Sequence, residues 1–130
     1  MATRKGLVNA YAHMWPREVF DAKDVDHKKR LMAKGLEFLN KGGVYVLYRE
    51  DEPYYIGKAK RLRSRLRHHA NNPQARYYHL WTSFSAFAVD DKNDRGEIEG
   101  ILIAAMPTAN SASPKLPKEQ LPKMICDLLR

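Results

Sequence analysis

The sequence predicts an α+β fold, a small three-stranded antiparallel sheet flanked by helices. Three observations carry that expectation. Residues 44–48 (Val-Tyr-Val-Leu-Tyr) and 54–56 (Tyr-Tyr-Ile) are short β-branched and aromatic runs joined by the polar turn Arg49-Glu50-Asp51-Glu52-Pro53, the pattern of a hairpin. A third run, at 81–89, is rich in small and aromatic residues. The stretches around these runs carry apolar residues three and four positions apart, the period of a helix.

In chain order, residues 1–22 read as an arm, with Tyr11, Trp15 and Phe20 as its anchors onto the body. Residues 24–40 read as a helix with Val25, Leu31, Met32, Leu36 and Leu39 on one face and Lys28, Lys29, Arg30 and Lys34 mostly outward. Asn40-Lys41-Gly42-Gly43 stops it. Gly57 ends the second strand, and a helix from about residue 60 to 70 turns Leu62 and Leu66 inward until Asn71-Asn72-Pro73 breaks it. Residues 90–96 read as a polar loop. Residues 97–106 form a helix whose Ile98, Ile101, Leu102 and Ala105 make the core stripe, ended by Pro107. Pro114 and Pro117 keep the next stretch extended, and residues 118–129 close with an amphipathic helix through Leu121, Met124, Ile125 and Leu128.

Charge and composition narrow the function. The 130 residues leave room for one domain with a modest core, and 44% apolar content is enough to fold it. Lys plus Arg number 23 against 15 Asp plus Glu, a formal net charge of +8 and a pI near 9.7. Basic residues cluster at 28–34 and at 58–67, where Lys58, Lys60, Arg61, Arg63, Arg65 and Arg67 stand beside Gly57. Such a surface attracts polyphosphates and acidic membranes without naming which. A membrane partner is not expected, because no apolar run approaches about 20 residues and neither cluster lies on a helix with a broad apolar face. The single cysteine, Cys126, excludes an internal disulfide and a Cys-based zinc cluster. The first fifteen residues contain no signal-peptide core, so a cytoplasmic protein is expected.

Several side chains are suited to phosphodiester chemistry. Tyr45 and Tyr55 stand on neighbouring strands of the hairpin, and Gly57 leaves room for backbone or phosphate to approach. Arg65 and His69 are four residues apart on one helix, with Arg65 at the border between core and solvent. An arginine there can clamp a phosphate, and a histidine can move a proton near neutral pH. Glu97 and Glu99 flank the next apolar stripe, one on each side, and either can be an Mg²⁺ ligand. Asn110, three residues after Pro107, can bond a neighbouring side chain or a phosphate.

These pieces, in this order, resemble the GIY-YIG nuclease family. The two name-giving motifs stand as Gly43-Val44-Tyr45 and Tyr55-Ile56-Gly57. The segment Gly57-Lys58-Ala59-Lys60-Arg61-Leu62-Arg63-Ser64-Arg65-Leu66 resembles the one that carries the family arginine. Glu99-Gly100-Ile101-Leu102-Ile103 resembles the metal-ligand helix, and Pro107-Thr108-Ala109-Asn110 the terminal Pro-x-x-Asn. The spacing from Glu99 to Asn110 is one residue shorter than in many members, which keeps Glu97 in play. The resemblance implies a nuclease core at 43–110 between an N-terminal arm and helix at 1–42 and a C-terminal extension at 111–130, together one compact domain. It further implies a one-metal hydrolysis of DNA using Mg²⁺ or Mn²⁺ held by Glu99. Tyr45 would be the general base, Arg65 the charge stabiliser and Tyr55 an orienting group, with His69 assisting proton transfer and Asn110 completing the site. Gly57, Lys58, Lys60, Arg61, Arg63 and Arg67 would meet the DNA backbone. A non-catalytic nucleic-acid-binding module and a structured-RNA nuclease are the alternatives; monomer and homodimer both stay open.

Overall fold

The computed structural model describes residues 6–20, 37–74, 80–110, 113–114 and 116–129. Most of the helix expected at 24–40 lies outside these residues; only its end is described, as a short 3-10 turn at Glu37–Asn40 that buries Leu39.

The described chain forms strand β1 (Ala10–Pro16), a 3-10 turn (Arg17–Phe20), β2 (Gly43–Arg49), β3 (Glu52–Ala59), helix α1 (Leu62–Asn71), β4 (Ser83–Ala88), helix α2 (Lys92–Ala105) and a short helix α3 (Lys123–Leu128). The sheet has four strands in the order β1-β4-β2-β3, every neighbouring pair antiparallel. The expected three-stranded sheet is therefore corrected. The arm supplies the fourth strand, in which Tyr11, His13 and Trp15 alternate with Ala10, Ala12 and Met14 in the two-residue period of a strand. Its register against β4 shifts between Ala12 and Trp15, where Met14 takes φ 49° and its amide donates to Ser85 Oγ at 3.0 Å. Ser85 is buried, and Tyr48 Oη lies 3.0 Å from the same oxygen, so the polar group inside the sheet is satisfied.

The two sheet faces carry different helices. Tyr45, Leu47, Phe84 and Ala86 pack with Leu62, Leu66 and Trp81 under α1. Burying a leucine such as Leu62 or Leu66 contributes roughly 1.5–3 kcal/mol. On the other face Val44, Val46 and Ile56 meet Ile98, Leu102, Ile103 and Met106. The expected stripe on α2 is thus rotated, since Ile101 is 56% exposed and Ala105 is exposed too. The helix also begins earlier than expected. Asp91 Oδ1 accepts from the amides of Asn93 (2.7 Å) and Asp94 (3.1 Å), so the polar stretch expected as a loop is an N-capped first turn.

Helix α3 is shorter than the expected 118–129, and Leu121, Met124, Ile125 and Leu128 are all exposed rather than packed. Of the arm's anchors, Trp15 and Phe20 do pack, each against Phe84, while Tyr11 is 67% exposed and only stacks on Phe87.

Candidate active site

Tyr45 sits opposite Gly57 in the β2–β3 ladder, and Leu47 sits opposite Tyr55. Opposed residues share a face, so Tyr45, Tyr55 and Gly57 all point toward α1. Gly57 is buried, and a Cβ there would collide with the Tyr45 ring and hydroxyl. The room expected for a phosphate is taken by the tyrosine, which corrects that reading of Gly57. Helix α1 brings the third group. His69 falls three residues after Leu66 and seven after Leu62, hence on the buried stripe itself, with Arg65 exposed at its edge.

The result is a compact aromatic trio. Tyr45 Oη and His69 Nε2 are 2.9 Å apart in a buried hydrogen bond. The ring centroids lie 5.6 Å apart for Tyr45–His69, 5.9 Å for Tyr55–His69 and 6.2 Å for Tyr45–Tyr55. Burial is the main force on both ionisable members. It pushes the Tyr45 phenol well above its usual range, with Tyr55 and Glu99 adding to the rise and Arg65 opposing it. It lowers His69 to about 4, helped by the positive charge of His68 and Arg65. At neutral pH the pair is a protonated phenol beside a neutral imidazole, arranged for the hydroxyl to donate to the ring nitrogen.

Two hollows share Lys58 on β3 as a lining residue, and Tyr55 of the trio lines the second. One, of about 600 Å³, is bounded by Lys58, Lys60, Arg61, Ser64, Arg65, His68, Lys92 and Arg95. The other, of about 540 Å³, holds Tyr55, Glu97, Glu99, Gly100, Ile103 and Asn110. In it Glu99 is half-buried and Glu97 exposed. Among the described residues no group of three or more His, Cys, Asp or Glu side chains gathers. One or two carboxylates in an open, wettable cleft fit a hard cation that keeps most of its waters, such as Mg²⁺ or Mn²⁺.

Asn110 sits against the free edge of β3. Its Oδ1 accepts from the Ile56 amide (2.9 Å) and its Nδ2 donates to the Ile56 carbonyl (2.8 Å), as a neighbouring strand would. Thr108 Oγ1 donates to the same Oδ1 at 2.9 Å, and the Ala109 amide donates to the Tyr54 carbonyl at 2.7 Å. Its side chain is spent on holding β3.

The structure therefore gathers Tyr45, Tyr55 and His69 in the trio with Arg65 at its edge, and Glu97, Glu99 and Asn110 in the second hollow, which Tyr55 also lines. Of the residues expected to meet the DNA backbone, Lys58, Lys60 and Arg61 line the basic hollow, and Arg63 and Arg67 do not. Each stands two residues from Arg65, about 200° around the helix. Sequence reading missed Lys92 and Arg95, which join the basic hollow from the first turn of α2. Asp91 as a cap was the signal that would have placed them on a helix. Arg95 is partly committed to the backbone, donating to the carbonyls of Val89 (2.6 Å) and Asp90 (2.9 Å). Lys92 is exposed.

The model of the GIY-YIG catalytic domain family matches residues 41–105. Similar solved structures include three point mutants of the GIY-YIG N-terminal endonuclease domain of UvrC from Thermotoga maritima, each bound to its catalytic divalent cation. Two are 29% identical and the third 28%; each alignment covers 55% of this chain and 86% of that chain, with a TM-score of 0.47. A comparison with curated proteins found no match.

Proposed function

The chain belongs to the GIY-YIG catalytic domain family, and from that premise we propose that it is a metal-dependent endonuclease hydrolysing DNA phosphodiester bonds, with Tyr45 as general base. The observation that carries the reading is the 2.9 Å contact between Tyr45 Oη and His69 Nε2. A phenol held protonated cannot act as a free phenolate, but it can relay. As water attacks phosphorus, its proton passes to Tyr45 Oη while the phenolic proton passes to His69 Nε2, which is neutral because its pKa is lowered to about 4. No buried phenolate has to form.

The remaining groups have defined tasks. Arg65, at the rim of the basic hollow and close enough to lower the Tyr45 pKa, meets charge that grows on the phosphate oxygens. Tyr55 orients the water or the phosphate from the other side of Tyr45. Glu99 would hold Mg²⁺ or Mn²⁺, with Glu97 beside it, and the bound ion would supply positive charge for the scissile phosphate and the leaving oxygen. Asn110 is a positioning residue, fixing the stretch of β3 between Tyr55 and Gly57. Lys58, Lys60, Arg61 and Lys92 neutralise the flanking backbone.

The test is cleavage of plasmid DNA, branched DNA and structured RNA with Mg²⁺ and with EDTA. DNA cleavage that stops in EDTA is expected. Binding without cleavage of any substrate would make the chain a binding module, and cleavage confined to RNA would reassign the substrate.

A further inference from the structure

Strand β1 and the turn after it lie outside the part of the chain that the family matches, yet the turn grips the end of α1 that carries His69. The Arg17 guanidinium donates from Nη2 to the Ala70 carbonyl (2.9 Å) and from Nη1 to the Trp81 carbonyl (3.2 Å), and lies 4.9 Å over the Trp81 ring. The Arg17 amide donates to the Thr82 carbonyl at 3.0 Å. Asn71 returns the contact, its side-chain amide donating to the Phe20 carbonyl at 2.9 Å. Ala70 directly follows His69, and its carbonyl is one of the last four of α1, which have no partner inside the helix. A cation at that end also complements the helix dipole. Thr82 precedes β4, and β4 pairs with β2, the strand that bears Tyr45.

We propose that Arg17 is a positioning residue: by tying the last turn of α1 to the entry of β4, it holds His69 within hydrogen-bond reach of Tyr45. The inference rests on reading that pair as the proton relay. The fork of the guanidinium is what the geometry uses, because two carbonyls, of Ala70 and Trp81, are met at once while the charge sits over the Trp81 ring. A lysine ammonium on a flexible stem does not reproduce this.

The experiment is a double-mutant cycle. Arg17→Met should lower the turnover number tenfold or more, toward the roughly 100-fold loss that a misplacement of about 1 Å brings, with KM little changed. In a His69→Ala background the same substitution should lower turnover no further, since the group it positions is gone. Equal losses in both backgrounds would overturn the proposal, because Arg17 would then serve general stability alone. Arg17→Lys should give an intermediate loss, and it replaces the methionine variant in the cycle if that one fails to fold. A readout without activity is the NMR titration of the His69 imidazole, which should rise from about 4 toward its ordinary value when Arg17 is replaced and the last turn opens to water. An unchanged titration overturns the proposal. A wild-type rate for His69→Ala would instead sink the relay, and the titration would still decide whether Arg17 holds His69.

Discussion

The two hollows that meet at Lys58 are nearly equal in size, about 600 and 540 Å³, and opposite in character. The first gathers cations from β3, from the start of α1 and from the start of α2. The second gathers Glu97 and Glu99 from the middle of α2, with Tyr55 and Asn110 along β3. The basic side spreads its work over several exposed cations, whose pull on a polyanion is collective and screened by salt. The acidic side has one half-buried carboxylate, Glu99, to which the proposed mechanism assigns the metal. Damage to the first should therefore be graded, and damage to the second abrupt.

The largest expected effect sharpens that contrast. Glu99→Ala should reduce cleavage to background while DNA affinity and its salt dependence persist, as measured by single-turnover assays beside filter binding. Glu97→Ala should cost far less, because Glu97 is exposed whereas Glu99 is half-buried and its charge reaches Tyr45. A dead Glu97→Ala with an active Glu99→Ala would exchange the two roles.

Next comes the relay. Tyr45→Phe keeps the ring that fills the space over Gly57 and removes only the hydroxyl. Turnover should fall by about 10²–10⁴-fold, the usual range for a general base, with binding nearly intact. Gly57→Ala probes the same contact from the other strand. Its Cβ enters the Tyr45 ring, so the hydroxyl must move away from His69 and turnover must fall even if the protein folds. Full activity of Gly57→Ala would mean that the hydroxyl's position is not critical.

The legible and illegible parts of this site divide along physical lines. The Tyr45–Gly57 and Leu47–Tyr55 pairings follow from a hairpin whose turn and register are local, and local pattern is what a sequence displays. The helical period likewise placed Arg65 at a border, although it did not show that His69 lies on the buried stripe. Strand β1 was not legible as part of the sheet, because its partner β4 is about seventy residues away and nothing in the alternation of Tyr11, His13 and Trp15 names that partner. Asn110 was ambiguous for the same reason, since its bonds are to Ile56. Lys92 escaped for a more avoidable cause: a run of polar residues reads as a loop, although Asp91 stands ready to cap a helix.

A smaller effect tests the basic hollow. Replacing Lys60, Arg61 and Lys92 together with Ala should weaken DNA binding across all sequences, with turnover at saturating DNA retained. The salt slope should flatten by about one unit for each phosphate no longer neutralised. Arg63 and Arg67 replaced together are the control, and a slope change as large as that of the triple would move the DNA track to the other side of α1.

The smallest expected effect is on stability, and it reads His69 from the folded state alone. Burial, then the charges of His68 and Arg65, lowers its pKa from 6.5 to about 4. The unfolded chain takes up this proton near 6.5, whereas the native chain refuses it until about 4. Between those values the unfolded state therefore binds more protons than the native state, so stability falls as pH falls. The contribution is fully present above about 6.5, declines through the window and is lost below about 4. Other groups titrate in the same range, so the measurement is a difference between two proteins. Urea midpoints of wild type and His69→Gln, taken from about pH 7 down to about pH 4, should show the wild type losing more stability with acid than the variant. The relay adds a kinetic counterpart, because an imidazole that stays neutral through this window can still accept the Tyr45 proton where an ordinary histidine is mostly charged. Wild-type turnover should then show no acid limb near 6.5. If both proteins lose stability in parallel, His69 is not held neutral by the fold through this window, and the turnover should instead show an acid limb near 6.5 as the imidazole takes up its proton.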